Sequence, residues 1–282
     1  MVVLNANAKL NLMLKIIDKL PNGYHLLEML NVPISISDEI YIEFSGNKLE
    51  QIFNPPLDCS LEKTTIYKAY QLISSWLGFM PAIKIVVNKH IPSGSGLGGG
   101  SSDAGFFIKF IAEHFGINLD QQKISEVANY VGADVPFFIY NKPAIVRGIG
   151  EKVFTLNNFP KLLFLLIVPD FSISTSWAYS QVKLELTKKE EHSNLKYSNI
   201  DLDSLKNLMH NDLEAIAERQ FPAIIDLKNF LKTNGAEIAM MTGSGSAVFG
   251  IFENIEKAKA AESKTKLVFN TYKTFICHTI GA

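Results

Sequence analysis

Residues 92–105 read Pro-Ser-Gly-Ser-Gly-Leu-Gly-Gly-Gly-Ser-Ser-Asp-Ala-Gly, with five glycines among the seven residues 94–100. A strand-like run at 82–87 precedes this stretch, and a helix-like run at 106–115 follows it. Glycine lets the backbone approach an anion closely, and the N-terminus of the following helix adds partial positive charge. The pattern therefore predicts a phosphate-binding loop. A flexible surface loop is the alternative. However, so many glycines before an amphipathic helix lose much conformational entropy on folding, and binding a ligand would justify that cost.

The serines and the aspartate at the end of this stretch are residue types that cap helices. We expect Ser101, Ser102 and Asp103 to cap the helix that follows the glycines. Gly94, Gly96 and Gly99 also satisfy the dinucleotide pattern G-x-G-x-x-G, which by itself is weak evidence.

A dinucleotide fold and several common catalytic motifs can be set aside. The dinucleotide pattern requires an acid about twenty residues later, at the end of a second strand. The acids found there, Asp120 and Glu126, lie in a helical pattern instead. The chain contains no Gly-Lys pair for a Walker A loop, and it has no H-E-x-x-H, H-R-D or G-x-S-x-G motif. What remains is a phosphate loop without a lysine of its own.

The bulk composition is that of a globular protein. The chain has 282 residues, of which 47% are hydrophobic and 20% charged, and its mean hydropathy is +0.12. One large or two modest domains are expected at this length. Cys59 and Cys277 form no C-x-x-C pair, which favours free thiols in a reducing cytoplasm. A single disulfide between them is the alternative.

Charge and hydropathy argue against two classes of partner. The net charge is −1 and the basic residues are scattered, so nucleic acid is not expected as a partner. The first residues lack the basic and apolar regions of a signal peptide, and the longest apolar run, 162–168, is far too short to span a bilayer. We therefore expect neither nucleic acid nor a membrane as partner.

The order of the predicted elements indicates an α+β protein in two blocks. Strands are predicted at 2–4, 10–17, 32–36, 40–44, 162–168 and 268–280, and helices at 62–77, 121–130 and 205–219. The charged segment 183–199 is predicted to be a solvated loop. Gly243-Ser244-Gly245-Ser246 forms a second glycine turn. Alternation of the two element types in both blocks predicts two layered domains.

Two charged residues stand out because their surroundings are apolar or tightly turned. Lys9 lies in Ala6-Asn7-Ala8-Lys9-Leu10-Asn11-Leu12, where strand alternation points Lys9 and Asn11 to the same side. That side is either solvent, the usual place for a lysine, or a cleft. Asp134 lies in Gly132-Ala133-Asp134-Val135-Pro136, at the boundary of an element. Taken alone, such an aspartate is usually a turn or cap residue.

Taken together, the motifs around Lys9, Tyr24, the glycine loop, Asp134 and Gly243 resemble the ordered motifs of the GHMP kinases. The resemblance spans nearly the whole chain. It implies a two-domain α+β architecture, with a nucleotide domain similar to domain 2 of ribosomal protein S5 at residues 1–158 and a ferredoxin-like domain at 159–282. The active site of such kinases lies between the two domains.

The resemblance also implies the chemistry, which is transfer of phosphate from ATP, with Mg²⁺, to a small alcohol. Asp134 would accept the proton of the attacking hydroxyl, and Lys9 would keep the carboxylate ionised and add positive charge near the reacting atoms. Ser101 or Ser102 would reach the metal, whose other protein ligands stay unassigned. The triphosphate loop would consist of Pro92, Ser93, Gly94, Ser95, Gly96, Leu97, Gly98, Gly99, Gly100, Ser101 and Ser102.

Within this family, the motifs are most similar to those of kinases that phosphorylate a cytidine diphosphate-linked methylerythritol in the non-mevalonate route to isoprenoid precursors. Tyr24 and His25 would hold the cytosine by stacking and hydrogen bonding. Further substrate contacts are expected from Asn11, Ile149, Thr175 and Tyr179. Two alternatives stay open, namely a family member that acts on another alcohol such as mevalonate or homoserine, and a non-catalytic nucleotide-binding protein.

The chain departs from the family pattern at two positions. Asn7 stands where the family usually has proline, and Ser95 stands where it more often has glycine. Neither change removes a chemical group that the reaction needs, but both can alter the affinity for nucleotide. The sequence leaves open whether the protein is a monomer or a homodimer.

Overall fold

The computed structural model describes residues 1–182 and 202–281. The charged segment predicted as a loop at 183–199 lies outside these residues. The described chain forms two β-sheets with helices packed on them, and residue 158 falls in the connection between the last strand of the first sheet's main block and the first strand of the second sheet. The predicted α+β class is confirmed.

The first sheet is built around one long antiparallel hairpin. Its strands are β1 (Val2–Lys19), β2 (His25–Glu43), β3 (Glu50–Asn54), β4 (Lys84–Asn88), β5 (Ala144–Gly148), β6 (Lys152–Thr155) and β8 (His210–Asn211). The order is β3-β4-β2-β1-β8, and β5 pairs with β2 and β6. The sequence patterns predict two separate strands in place of β1 and two in place of β2. This prediction is wrong, because the polar residues between the predicted strands stay paired, with shifts of register, so that each strand is continuous.

Helices of the first half cover this sheet and carry the glycine loop. They are α1 (Thr65–Leu77), α2 (Gly99–Phe115), α3 (Gln121–Tyr130) and α4 (Val135–Tyr140). Helix α2 begins inside the glycine stretch, with Gly98 at the cap position in the left-handed conformation, φ 75°. Ser101, Ser102 and Asp103 therefore lie within the helix, and the prediction that they cap it is wrong. Its cap residue, Gly98, has no side chain that could accept a hydrogen bond from the first N–H groups of the helix.

The second sheet has four antiparallel strands in the order β11-β7-β10-β9. These are β7 (Leu163–Val168), β9 (Ile238–Met241), β10 (Val248–Phe252) and β11 (Lys273–His278). The helices of this half are α5 (Thr175–Ser180), α6 (Leu202–Leu208), α7 (Glu214–Gln220), α8 (Ala223–Thr233) and α9 (Ile255–Val268). The path β7-α8-β9-β10-α9-β11 is the split βαβ arrangement of ferredoxin-like domains.

The helix predicted at 205–219 is interrupted by β8, which crosses to the first sheet. Residues His210 and Asn211 pair in parallel with Met13 and Leu14 of β1. The second half of the chain therefore contributes a strand to the first sheet. In the described part of the chain, no helix has the length and apolar character needed to cross a membrane.

Candidate active site

A cavity of about 500 Å³ lies where the two halves of the described chain meet. The glycine loop forms one wall, and Lys9, Asn11 and Asp134 lie beside it. The second half supplies Thr175, Tyr179 and the turn at residues 243–245. Each half thus provides part of one site, as expected for an active site between domains.

Strand β1 delivers Lys9 and Asn11 to this cavity through two irregularities. Its register against β2 shifts between Asn7 and Lys9, and again between Asn11 and Met13. Bulges of this kind redirect side chains and are frequent near active sites. Both side chains are buried, with 3% of Lys9 and none of Asn11 exposed. Of the two places that alternation left open, solvent or a cleft, the structure shows the cleft.

Lys9 and Asp134 face each other across the cavity wall. Asp134 occupies the cap position of α4, whose first turn contains Pro136, and 36% of its side chain is exposed. The Nζ atom of Lys9 lies 3.6 Å from Oδ2 of Asp134 and donates to Oδ1 of Asn11 at 2.5 Å. The main chain of Lys9 is held against the glycine loop because its N–H donates to the carbonyl of Leu97 at 3.0 Å.

The glycine loop has the shape of an anion cradle. Gly96 and Gly98 both have positive φ, at +81° and +75°. A Cβ on Gly96 would lie 2.5 Å from the carbonyl oxygen of Thr242, and a Cβ on Gly98 would lie 2.8 Å from Cζ of Phe138. Glycine is thus required at both positions, and the loop leads directly into the uncapped N-terminus of α2. These features fit the phosphate groups of a nucleotide.

The residues predicted to form the phosphate loop line the cavity, except for the last one. All of those from Pro92 to Ser101 line the cavity, whereas Ser102 does not. Ser102 is fully buried, and its hydroxyl donates to the carbonyl of Asn7 at 2.6 Å. Of the two serines considered for the metal, Ser101 is therefore the one that lies on the cavity.

The second half is fastened to the loop and to β1 by direct hydrogen bonds. The N–H of Asn11 donates to Oγ1 of Thr242 at 2.9 Å, and the N–H of Ala247 donates to the carbonyl of Ser95 at 3.2 Å. The hydroxyls of Thr175 and Ser244 lie 2.9 Å apart. The second glycine turn therefore faces the cavity through residues 243–245.

The predicted substrate residues are only partly brought together. Asn11, Ile149, Thr175 and Tyr179 line the cavity, but Tyr24 and His25 do not. The ring of His25 stacks on that of Tyr179, with centroids 5.2 Å apart and planes at 29°. Tyr24 is 45% exposed. The two predicted cytosine residues thus differ, because His25 adjoins the cavity through Tyr179 and Tyr24 lies on the surface.

Burial sets the protonation of this aromatic pair. Burial lowers the pKa of His25 below its ordinary value of 6.5, and the charge of Lys19 lowers it further. Burial also raises the pKa of Tyr179. Within the described residues, Nε2 of His25 is buried without a hydrogen-bond partner. Near neutral pH, the pair therefore offers a neutral imidazole and a neutral phenol.

Sequence reasoning missed a buried charge cluster behind the glycine loop. Lys89 lines the cavity, and its Nζ atom contacts the carboxylates of Asp38 and Asp103, the latter at 2.6 Å. Burial raises the pKa of Asp103 to about 7. The signal was present in the sequence, because Lys89 stands three residues before Pro92 and Asp103 belongs to the glycine-rich stretch itself.

Comparison with known proteins identifies the family of this chain. The models for the GHMP kinases N terminal domain and the GHMP kinases C terminal domain match residues 64–142 and 194–270. This chain belongs to the GHMP kinase family. It is 37% identical over 270 residues to the 4-diphosphocytidyl-2-C-methyl-D-erythritol kinase of Bacteroides fragilis, a match that covers 94% of this chain and 97% of the relative.

Solved structures agree with this assignment. A crystal structure of 4-(cytidine 5'-diphospho)-2C-methyl-D-erythritol kinase superposes with a TM-score of 0.78 at 27% identity, covering 98% of both chains. The homoserine kinase from Cytophaga hutchinsonii superposes with a TM-score of 0.70 at 18% identity, covering 98% of this chain and 93% of that one. At that identity, the second match shows the fold alone.

Proposed function

We propose that this chain transfers the γ-phosphate of ATP to the 2-hydroxyl of 4-diphosphocytidyl-2-C-methyl-D-erythritol, a step in the non-mevalonate route to isoprenoid precursors. The placement of Lys9 and Asp134 on the same cavity as the phosphate loop supports phosphoryl transfer most directly. The relatives that align over nearly the whole chain support this substrate.

The reaction requires one proton acceptor and one attacking oxygen. As the substrate hydroxyl attacks the γ-phosphorus, the bond from that phosphorus to the β–γ bridging oxygen breaks and ADP leaves. Asp134 takes the hydroxyl proton, and Lys9 places positive charge beside the attacking oxygen and the phosphoryl group. Transfer is direct, because a hydroxyl held in line by these groups needs no covalent enzyme intermediate.

The glycine loop and the uncapped N-terminus of α2 would hold the phosphates of ATP. Mg²⁺, when bound, would neutralise charge on the phosphate oxygens and take most of its ligands from phosphate and water. Ser101 is the loop hydroxyl that could reach it, and no cluster of three or more metal-binding side chains exists among the described residues. A site that depends on phosphate oxygens fits this composition.

The aromatic pair is suited to the cytidine end of the substrate. A neutral His25 can donate to or accept from the edge of an uncharged base, and the ring of Tyr179 gives an apolar surface on the cavity wall. Asn11, Ile149 and Thr175 would contact the substrate between this pair and the phosphate loop. Tyr24 would reach the base only from the surface.

We infer that residues 1–158 form the ATP-binding domain and that residues 159–282 form the substrate domain, which completes the substrate site through Thr175 and Tyr179. We also infer a cytoplasmic location. Cys59 is exposed and Cys277 is buried, and neither forms a disulfide, which suits a reducing compartment.

The experiment is a kinase assay with three acceptors. The protein is mixed with Mg²⁺ and ATP and with 4-diphosphocytidyl-methylerythritol, mevalonate or homoserine, while ADP formation and product mass are followed. We expect one phosphate to be added to the cytidine substrate alone, and cytidine to compete. Turnover of another alcohol would refute the substrate, and turnover of none would favour a non-catalytic nucleotide-binding protein.

A further inference from the structure

Two asparagine side chains form a row behind the candidate catalytic lysine. Asn11 on β1 and Asn31 on β2 are direct cross-strand partners. Oδ1 of Asn11 accepts from Nζ of Lys9 at 2.5 Å, and Nδ2 of Asn11 donates to Oδ1 of Asn31 at 2.7 Å. Asn31 is fully buried and does not line the cavity. Among the described residues, its side chain is connected to the site by its hydrogen bond to Asn11.

The charge on Lys9 dictates which way both amides point. An ammonium group can only donate hydrogen bonds, so Asn11 must turn its carbonyl oxygen towards Lys9. Its NH₂ group then faces β2 and needs an acceptor there. Oδ1 of Asn31 is that acceptor, since the other contact is the weakly accepting sulfur of Met29 at 3.5 Å. If Asn11 turned over, its NH₂ group would face the ammonium.

Asn31 fills this role at a cost to stability. Its own Nδ2 is buried and has no hydrogen-bond partner among the described residues. Leaving a buried donor unsatisfied is unfavourable, so the hydrogen bonding of Asn31 itself does not explain an asparagine at this fully buried position. Its hydrogen bond to Asn11 does.

We propose that Asn31 is a positioning residue for phosphoryl transfer. It fixes the orientation of the Asn11 amide, and the fixed amide holds the ammonium of Lys9 opposite Asp134. This inference rests on the proposed function, because it assigns Asn31 to the catalytic step of that reaction. A residue that merely supports the sheet would not link its amide to Lys9 in this way.

The test is Asn31→Leu, with thermal stability measured beside kinetics. We expect kcat to fall about ten-fold, which corresponds to about 1.4 kcal/mol, while KM for ATP changes little. The Tm should change little, since the variant removes one unsatisfied buried NH₂ group, that of Asn31, and leaves another, that of Asn11. Thr265→Val is the matched control, because Thr265 is also fully buried and polar but bonds only within α9, to the carbonyl of Ala261. It should leave kcat unchanged.

A double variant shows whether Asn31 acts through Asn11. In an Asn11→Ala background, Asn31→Leu should lower kcat no further, since the amide that it orients is absent. Independent, additive losses would overturn the proposal. So would an Asn31→Leu protein with wild-type kcat, or one whose kcat and Tm fall together.

A spectroscopic measurement separates this inference from the proposed function. The protein is produced with ¹⁵N-labelled lysine, and Lys9→Arg identifies the Nζ signal of Lys9. We expect Asn31→Leu to shift that signal and Thr265→Val to leave it in place, in the absence of any substrate. An unmoved signal refutes the role of Asn31 even if the kinase assay succeeds, and a shifted one supports it even if another alcohol proves to be the substrate.

Discussion

Replacing Gly96 by alanine should separate the two loops that enclose the candidate site. The new Cβ would lie 2.5 Å from the carbonyl oxygen of Thr242 and 3.2 Å from that of Gly245, whereas ordinary contacts begin at 3.4 Å. Both oxygens belong to the backbone, so neither can rotate away. The loop at 242–245 must therefore move off the phosphate loop.

A matched glycine isolates this effect from backbone strain. Gly235 has φ +96°, close to the +81° of Gly96, but a Cβ there would meet nothing within 4 Å. Alanine in the left-handed region costs about 1–2 kcal/mol at either position. Only Gly96→Ala adds the forced separation, which on the scale of overpacked cores costs about 1–3 kcal/mol more.

The assay compares kcat/KM for ATP and Tm in the two variants. Both should lose similar stability from the backbone, but kcat/KM for ATP should fall roughly 5- to 150-fold in Gly96→Ala alone, the range that about 1–3 kcal/mol represents. If Gly96→Ala and Gly235→Ala have the same kcat/KM for ATP, the close contact between the two loops does not matter for nucleotide binding. That result would refute the prediction.

Three further predictions concern single side chains. Asp134→Asn should retain ATP binding and Tm but lower kcat by orders of magnitude, and wild-type turnover would remove Asp134 as the base. His25→Leu should raise KM for the cytidine substrate without changing KM for ATP. An unchanged KM for the cytidine substrate would show that the stack of His25 on Tyr179 has no role in substrate binding. The hydrogen bond to Asp212 raises the pKa of His210 above 6.5, against the opposing effect of burial, with Lys15 lowering and Glu214 raising it. The protonated form is thus favoured by folding, so this contribution is complete below about pH 6.5 and is lost as the pH rises through the folded pKa. Accordingly, His210→Gln should lower Tm more at about pH 5.5 than at about pH 8.5, and equal losses would contradict this assignment.

Much of the site could be predicted from the sequence because its signals are local. Glycine density at 94–100, together with a strand before it and a helix after it, predicted the phosphate loop. Strand alternation placed Lys9 and Asn11 on one side, and the resemblance to the family chose the cleft over solvent. Gln121–Tyr130 was predicted with its correct bounds because Asp120 caps it and its apolar spacing is regular.

The remaining features depend on contacts between residues distant in sequence. Nothing near Ser102 indicates that its hydroxyl bonds the carbonyl of Asn7, 95 positions away. The predicted start of α2 is too late because glycines are poor helix formers, whereas here Phe138 requires glycine at position 98 and Ile91 packs closely against Gly99. The row from Lys9 to Asn31 exists only because β1 and β2 pair in one particular register.

The crossing strand β8 has a consequence for exchanging parts between kinases of this family. A chimera joined near residue 158 would take its second half from a donor, yet that half must supply the edge strand beside Met13 and Leu14. The donor would also have to supply an acceptor in place of Asp212, whose carboxylate accepts from the N–H of Ile16 at 2.6 Å. A junction chosen at residue 158 therefore overlooks a contact between the two halves. A chimera that is meant to take over the specificity of its donor should include residues 210–214 as well as the residues of the cavity wall.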